Sequence, residues 1–530
     1  MDSRTLTTLP RHMLYSGVVT CLISLSTGYV IGSPNIPEAA IRGQDGACGP
    51  SPYTIHAGFP NCFEFSDLLW GFAVGSFCLG ACAGGLISGG IQNKIGRIKT
   101  MLLSDFVFIL GALTLGLTYH QAQFIIGRVI VGFACGIGGV VAPTYLGEIA
   151  TIQGRGTLGA FHQLFVVIGI VISNLVGLAW SSPPGWRVVF AANAIPALLQ
   201  CFLLPSLVES PKYLVSQNRL KEAKESLQKL RGPEPEVDVH QELDEMIALL
   251  IGDRVIEEAA DEEEEISDPA SRAAQVIPAV QRGDSLATVK TQLTLVHTPN
   301  VHENMADAPS NDSQDSYGII ELFRSECCGL AIIGILVHFL QQASGINGLV
   351  YYSTSFLANV FGTNNSKYIT VGISFCSLLS TTASVFLINR LNRKTLMMTS
   401  FVGLSISSLL LVIGAYCNVG ILVVVAVFLY IATFAVALGP IPWLLLPELL
   451  PTYAVSPASS VATGVNWGTN FVVGLVFPSM TKAMGSGTFL LFGAINVFGV
   501  FYIWRFVPET RGRSTEAIMA ECGVPPRSKS

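Results

Sequence analysis

Gly96-Arg97-Ile98-Lys99-Thr100 borders one long apolar run, and Asn392-Arg393-Lys394-Thr395 borders another, 296 residues on from Arg97 to Arg393. Two further pairs keep nearly that spacing. Pro143-Thr144-Tyr145-Leu146-Gly147-Glu148 returns as the stretch from Pro442 to Glu448, and Val208-Glu209-Ser210-Pro211 as Val507-Pro508-Glu509-Thr510. In both the glutamates are offset by 300 residues. Three matches at near-constant offset mean an internal duplication. Each copy sits at the edge of an apolar segment, and duplication within a membrane bundle points to a transporter.

Composition agrees. Charged residues are only 12% of the 530, against roughly 25% in an average soluble domain, while half are hydrophobic. A chain this apolar cannot hide its surface in a water-soluble core, so lipid is its solvent. The net charge of −6 is carried largely by one loop. No basic stripe suggests nucleic acid as a partner. No CxxC pair suggests a metal, and no phosphate loop suggests ATP, so neither cofactor nor enzymatic chemistry is expected.

Apolar segments long enough to span a bilayer, roughly 20 residues, occur at about 13–33, 67–91, 101–119, 123–146, 158–180 and 186–206. Six more occur at about 327–357, 368–389, 396–415, 419–447, 455–480 and 485–507. The domains expected are therefore 1–206 and 327–510, each a six-helix bundle, with a polar region at 207–326 between them and a short tail at 511–530. Within the polar region, 210–231 reads as one amphipathic helix. Ser210 is its N-cap, Pro211 lies in its first turn, Gly232 follows it, and Leu220, Ala223, Leu227 and Leu230 form its apolar face. From 233 to 316 the acidic run Asp261 to Glu265 and the polar residues after it predict a disordered insertion.

Orientation follows from the basic residues. Lys94, Arg97 and Lys99 share one short loop, Arg390, Arg393 and Lys394 another, and Arg511 and Arg513 follow the last segment. All fall on one side, expected to be cytosolic together with both termini. The opposite side then holds the sequon at Asn364 and the first polar loop, where a disulfide between Cys48 and Cys62 is one reading and two free thiols the other. The sequon at Asn311 falls inside, where it cannot be glycosylated.

Gln341-Gln342-Ala343-Ser344-Gly345-Ile346-Asn347, followed by Tyr351-Tyr352-Ser353, resembles the seventh-helix signature of the sugar porter family of the major facilitator superfamily. Gly439-Pro440-Ile441-Pro442-Trp443 resembles its tenth-helix signature. Gly96-Arg97, Arg155-Gly156, Glu209-Ser210-Pro211 and Pro508-Glu509-Thr510-Arg511-Gly512-Arg513 resemble its cytosolic ones, and Ile195 to Cys201 is similar to facilitative glucose transporters. The resemblance implies an all-α membrane protein of twelve transmembrane helices in two pseudo-twofold bundles. It further implies sugar contacts at Gln163, Gln341, Gln342, Asn347, Trp443, Trp467 and Asn470, and a gate at Gly345, Tyr351 and Tyr352. A cytosolic salt-bridge network is implied at Arg97, Glu148, Arg155, Glu209, Arg393, Glu448 and Glu509.

The residue chemistry fits independently. Amides inside an apolar helix are costly without partners. A carboxamide both donates and accepts, as a sugar hydroxyl does. Amides also glue helices to one another, and that reading stays open. Tryptophans offer flat apolar walls to a pyranose, or else anchor at the lipid interface. Arg128 reads as structural.

Departures bear on the substrate and its coupling. Val30 stands where proton-coupled relatives carry an aspartate, which favours uniport, although Asp105, His162 and His338 remain ionisable. Ser377, Ala435 and His338-Phe339-Leu340 replace expected sugar contacts, while Asn389, Asn392 and Val455 thin the second-half network. The expectation is a facilitative hexose transporter, glucose before others, functional as a monomer in the plasma membrane. A proton-coupled symporter and a non-transporting sugar receptor are the alternatives.

Overall fold

The structure, a computed structural model, describes residues 10–44, 55–56, 58–151, 154–232, 239–240, 242–244, 246–247, 319–511, 513 and 515–522. Its first half contains α1 (Arg11–Gly32), the short α2 (Glu38–Arg42), α3 (Asp67–Ile95), α4 (Arg97–Gly116), α5 (Gln121–Ile149) and α6 (Arg155–Ala179). The sixth span is a broken pair, α7 (Trp186–Ala191) and α8 (Ala194–Leu203). Then come α9 (Pro211–Ser216), α10 (Leu220–Arg231) and α11 (Ile319–Arg324). The second half contains α12 (Cys328–Ala343) and α13 (Ile346–Phe361), which together make the seventh span. It continues with α14 (Thr363–Arg390), α15 (Arg393–Tyr416), α16 (Gly420–Thr433), α17 (Ile441–Leu449), α18 (Thr452–Met484), α19 (Thr488–Phe506) and α20 (Thr515–Glu521).

Among the described residues, eleven stretches are long and apolar enough to cross a membrane. The last, Pro457–Phe506, holds two helices parted at Gly485–Gly487, so the described chain has twelve spans in two sets of six. Helices are required because lipid offers no partner to a free backbone N–H or C=O. The departure from an all-helical architecture is a two-residue antiparallel ladder, β1 (Ile55–His56) with β2 (Phe59–Pro60), in the loop between the first two spans.

Small residues let the spans approach closely, which replaces the missing hydrophobic drive between helices in lipid. A Cβ added at Gly132 of α5 would stand 2.0 Å from the carbonyl oxygen of Phe77 on α3, and one added at Gly80 would stand 2.1 Å from that of Val129. Either would force the two backbones apart. Arg128, fully buried, donates to the carbonyls of Val30 and Val74, both at 2.9 Å, and so ties α5 to α1 and α3.

The amphipathic segment departs from expectation in one respect. It is two helices, because Asn218 takes a positive φ of 60° and turns the chain between α9 and α10. Ser210 does cap α9, accepting from the Tyr213 N–H at 3.3 Å. Ala223, Leu227 and Leu230 are buried, whereas Leu220 is exposed. Arg231 donates to the Ile149 carbonyl at 2.8 Å and Ser226 to that of Glu209 at 2.7 Å, so α10 seats on the Arg97 end of the first bundle. The insertion expected at 233–316 lies mostly outside the described residues. Its described part is helical, and Leu243 joins the apolar cluster that holds Leu214, Ala223 and Leu227, because apolar residues at 239, 243, 246 and 247 share a helical face. Asn311 lies outside the described residues. In the tail, α20 buries Ile518 and Met519.

The two halves meet along α3 with α18 and α6 with α14. Several hydrogen bonds and an ion pair link the halves at the end opposite Arg97. The Asn35 amide donates to the Val350 carbonyl and Ser353 Oγ, both at 2.8 Å, and its oxygen accepts from the Thr354 N–H at 3.1 Å. Asn174 donates to Ser374 Oγ at 2.7 Å, Lys367 to Ser181 Oγ at 2.9 Å, and Lys482 pairs with Asp67 at 2.6 Å. That end is closed.

Candidate functional site

The seventh span breaks at Gly345, whose φ of +89° is a left-handed conformation that favours glycine. A Cβ there would also lie 2.5 Å from the Phe492 ring. The break separates α12, which carries Gln341 and Gln342, from α13, which carries Asn347, Tyr351 and Tyr352. Gln341, Gln342, Tyr351 and Tyr352 all bond to α18, and Asn347 reaches back to Gln342.

The amides form one network. Gln342 Nε2 donates to Asn466 Oδ1 at 3.0 Å, and Asn347 Nδ2 donates to Gln342 Oε1. Asn466 Nδ2 in turn donates to Gln341 Oε1 at 2.7 Å. Gln341 Nε2 reaches the carbonyls of Leu438 at 2.6 Å and Gly439 at 3.1 Å, beside the π-helical turn Phe434–Leu438 of the tenth span. Gln341 is therefore committed to neighbouring helices, as the glue reading allowed. Tyr351 donates to Asn470 Oδ1 at 2.8 Å and Tyr352 to the Gly474 carbonyl at 2.8 Å, so both gate tyrosines are held against α18.

Trp443 is 44% exposed and packs edge-to-face on His338, ring centres 5.0 Å apart. Trp467 is partly buried and packs on Phe77 of the first half, 5.8 Å between centres. Gln163 on α6 is partly exposed, and its Nε2 lies 3.9 Å from where a Cβ of Gly439 would stand, so it faces the tenth span across the interface. Donors and acceptors thus lie on the α12, α13 and α18 side, and the Gln163 amide of α6 lies beside Gly439, whose carbonyl Gln341 meets. Such an arrangement can exchange hydrogen bonds with a hydroxylated solute.

Asn466 was not among the residues the sequence singled out, yet it joins both glutamines. The signal was present: Asn466 and Asn470 are one turn apart in an apolar helix, hence on one face.

The charged signatures gather at the other end. Arg97 grips Glu148 with two parallel bonds, Nε to Oε2 at 2.9 Å and a terminal nitrogen to Oε1 at 2.8 Å. Arg393 meets Glu448 at 3.4 Å only, while Glu448 also accepts from Thr510. Glu209 accepts from the N–H groups of Arg97 at 3.0 Å and Ile98 at 3.2 Å, and Glu509 from those of Arg393 at 2.9 Å and Lys394 at 3.1 Å. Burial holds the Glu209 carboxyl above its ordinary range, against the lowering effect of the N–H groups of Ser210, Arg97 and Ile98. In this structure each cluster closes within its own half. Arg155 begins α6, but its side chain lies outside the described residues.

Asn364 is exposed in the first turn of α14. Cys62 is disulfide-bonded; Cys48 lies outside the described residues.

A family model described as sugar (and other) transporter matches residues 17–258 and 284–521. The facilitated glucose transporter member 2 of solute carrier family 2 from Mus musculus is 31% identical over 467 residues, 86% of this chain and 77% of its own. A facilitated glucose transporter homolog of Caenorhabditis elegans is 31% identical over 515 residues, 94% of this chain and 87% of its own. Among solved structures, the partially occluded inward-open xylose transporter XylE from E. coli superposes with a TM-score of 0.70 at 22% identity. That match covers 95% of this chain and 99% of XylE, a likeness of fold.

Proposed function

The chain belongs to the sugar transporter family, and from that premise we propose that it is a facilitative carrier of a hexose, glucose before others. It is a multi-pass membrane protein and a transporter of sugar. We place the Arg97 and Arg393 ends and both termini in the cytosol, following the basic residues, and the protein in the plasma membrane as a monomer that breaks no bond of its substrate.

The observation that carries the reading is the amide network of Gln341, Gln342, Asn347 and Asn466 at the interface of the halves. A sugar entering it trades water for groups that donate and accept. Gln342, Asn347, Asn470 and Gln163 would meet hydroxyls, and Trp443 and Trp467 the apolar ring faces. With the far end closed by Asn35, Asn174 and Lys482, the site opens toward the Arg97 end. Transport then requires those bonds to break as charges at the Arg97 end come together across the halves. The bend at Gly345 lets α13 move while α12 stays.

Uniport is supported by the surroundings of Arg128. Its two terminal nitrogens donate to the Val30 and Val74 carbonyls, and Val30 supplies no carboxyl to carry a proton. The test is uptake of labelled glucose by proteoliposomes, with a panel of competing hexoses, with and without a pH gradient. Equilibration without accumulation is the expected result. Accumulation driven by protons would overturn uniport, and absence of counterflow would overturn transport.

A further inference from the structure

A chain of rings links Arg128, fully buried in the first bundle, to the amide site in the second. The Arg128 guanidinium carbon lies 4.8 Å over the centre of the Phe77 ring. Phe77, itself fully buried on α3, meets Tyr351 edge-to-face at 6.0 Å and 85°, and Trp467 edge-to-face at 5.8 Å and 83°. Tyr351 holds Asn470, and Trp467 immediately follows Asn466 on α18. Phe77 thus stands between a fixed cation on one half and two ring walls of the site on the other.

The fixing is physical. Arg128 is anchored by two carbonyls 2.9 Å away, and a desolvated cation over a ring face orients that ring. Edge-to-face packing then sets the planes of Tyr351 and Trp467. An aliphatic side chain of similar size would fill the space without either preference.

We propose that Phe77 is a positioning residue for sugar binding, clamped by Arg128 and setting the planes of Tyr351 and Trp467 around the amide network. The inference rests on the assignment of that network as the sugar site, so its test carries a control for the assignment. Glucose uptake kinetics are measured in proteoliposomes for wild type, Phe77→Leu, Phe77→Tyr and Gln342→Ala. Phe77→Leu is expected to raise KM roughly tenfold with kcat nearly unchanged, the pattern of lost uniform binding. Phe77→Tyr, which keeps the ring, should hold KM within about twofold of wild type.

A rise in KM for Gln342→Ala with a wild-type KM for Phe77→Leu overturns the role of Phe77 and leaves the site assignment standing. Wild-type KM in both variants overturns the assignment and the inference together. A fall in kcat alone for Phe77→Leu marks a merely structural residue and also overturns the proposal. Should Phe77→Leu fail to insert, Phe77→Met replaces it as a ring-free side chain of similar volume, read against the same outcomes.

Discussion

The Glu209 carboxylate closes the first turn of α4, accepting the backbone N–H of Arg97 at 3.0 Å, while the Arg97 side chain is engaged with Glu148. The same geometry recurs at Glu509 and Arg393. The glutamate acts as a helix cap supplied from 112 residues away in sequence, placing negative charge at the positive end of the helix. Glu209→Ala should cost about 1–2 kcal/mol, the usual penalty for losing a cap, and thermal unfolding in detergent will measure it.

Glu209 also gives a pH dependence. Burial raises its carboxyl above the ordinary range, so the folded chain binds that proton more readily than the unfolded chain does. Its favourable contribution is therefore present at low pH and lost as pH rises through the folded value. Relative to Glu209→Gln, wild type should gain stability on acidification from about pH 7.5 to about pH 5. Unfolding temperatures of both proteins at the two pH values check the sign.

The repeated latch is unequal in strength. Arg97 and Glu148 form a bidentate, partly buried pair, whereas Arg393 and Glu448 share one contact at 3.4 Å. Two aligned charge-assisted bonds outweigh one long one. Glu148→Gln should therefore destabilise by about 1–2 kcal/mol more than Glu448→Gln. Parallel melts of the two variants test the asymmetry.

Asn466→Ala should raise the KM for glucose roughly tenfold, because it leaves Gln341 Oε1 and Gln342 Nε2 without their shared partner. Uptake kinetics decide it, and an unchanged KM would make Asn466 a spacer. The residue also shows where reading the sequence stops. The spans were legible because lipid forces long apolar runs, and the hinge because Gly345 interrupts one beside two glutamines. Gln342 stood out as half of an adjacent amide pair. Asn466 and Asn174 did not, since a single amide in an apolar helix reads as helix glue until its partner is known, nor did Asn35, in the turn after α1; their partners lie between about 125 and 319 residues away. The turn at Asn218 escaped for a different reason: a non-glycine residue at positive φ carries little local signal.

Asn35 makes three hydrogen bonds across the closed end, to Val350, Ser353 and Thr354. Those bonds exist in one state of the cycle and must be given up in the other, so they bias the equilibrium between states. At about 0.5–1.5 kcal/mol each, losing even two should shift the population roughly tenfold toward opening at that end. Ile36, now 1% exposed, reports on it when replaced by cysteine in a background lacking the exposed Cys417 and Cys522. Asn35→Ala should speed modification of Ile36→Cys by an impermeant thiol reagent added from that side. An unchanged rate would show that the apolar packing of α3 on α18, rather than Asn35, keeps the end shut.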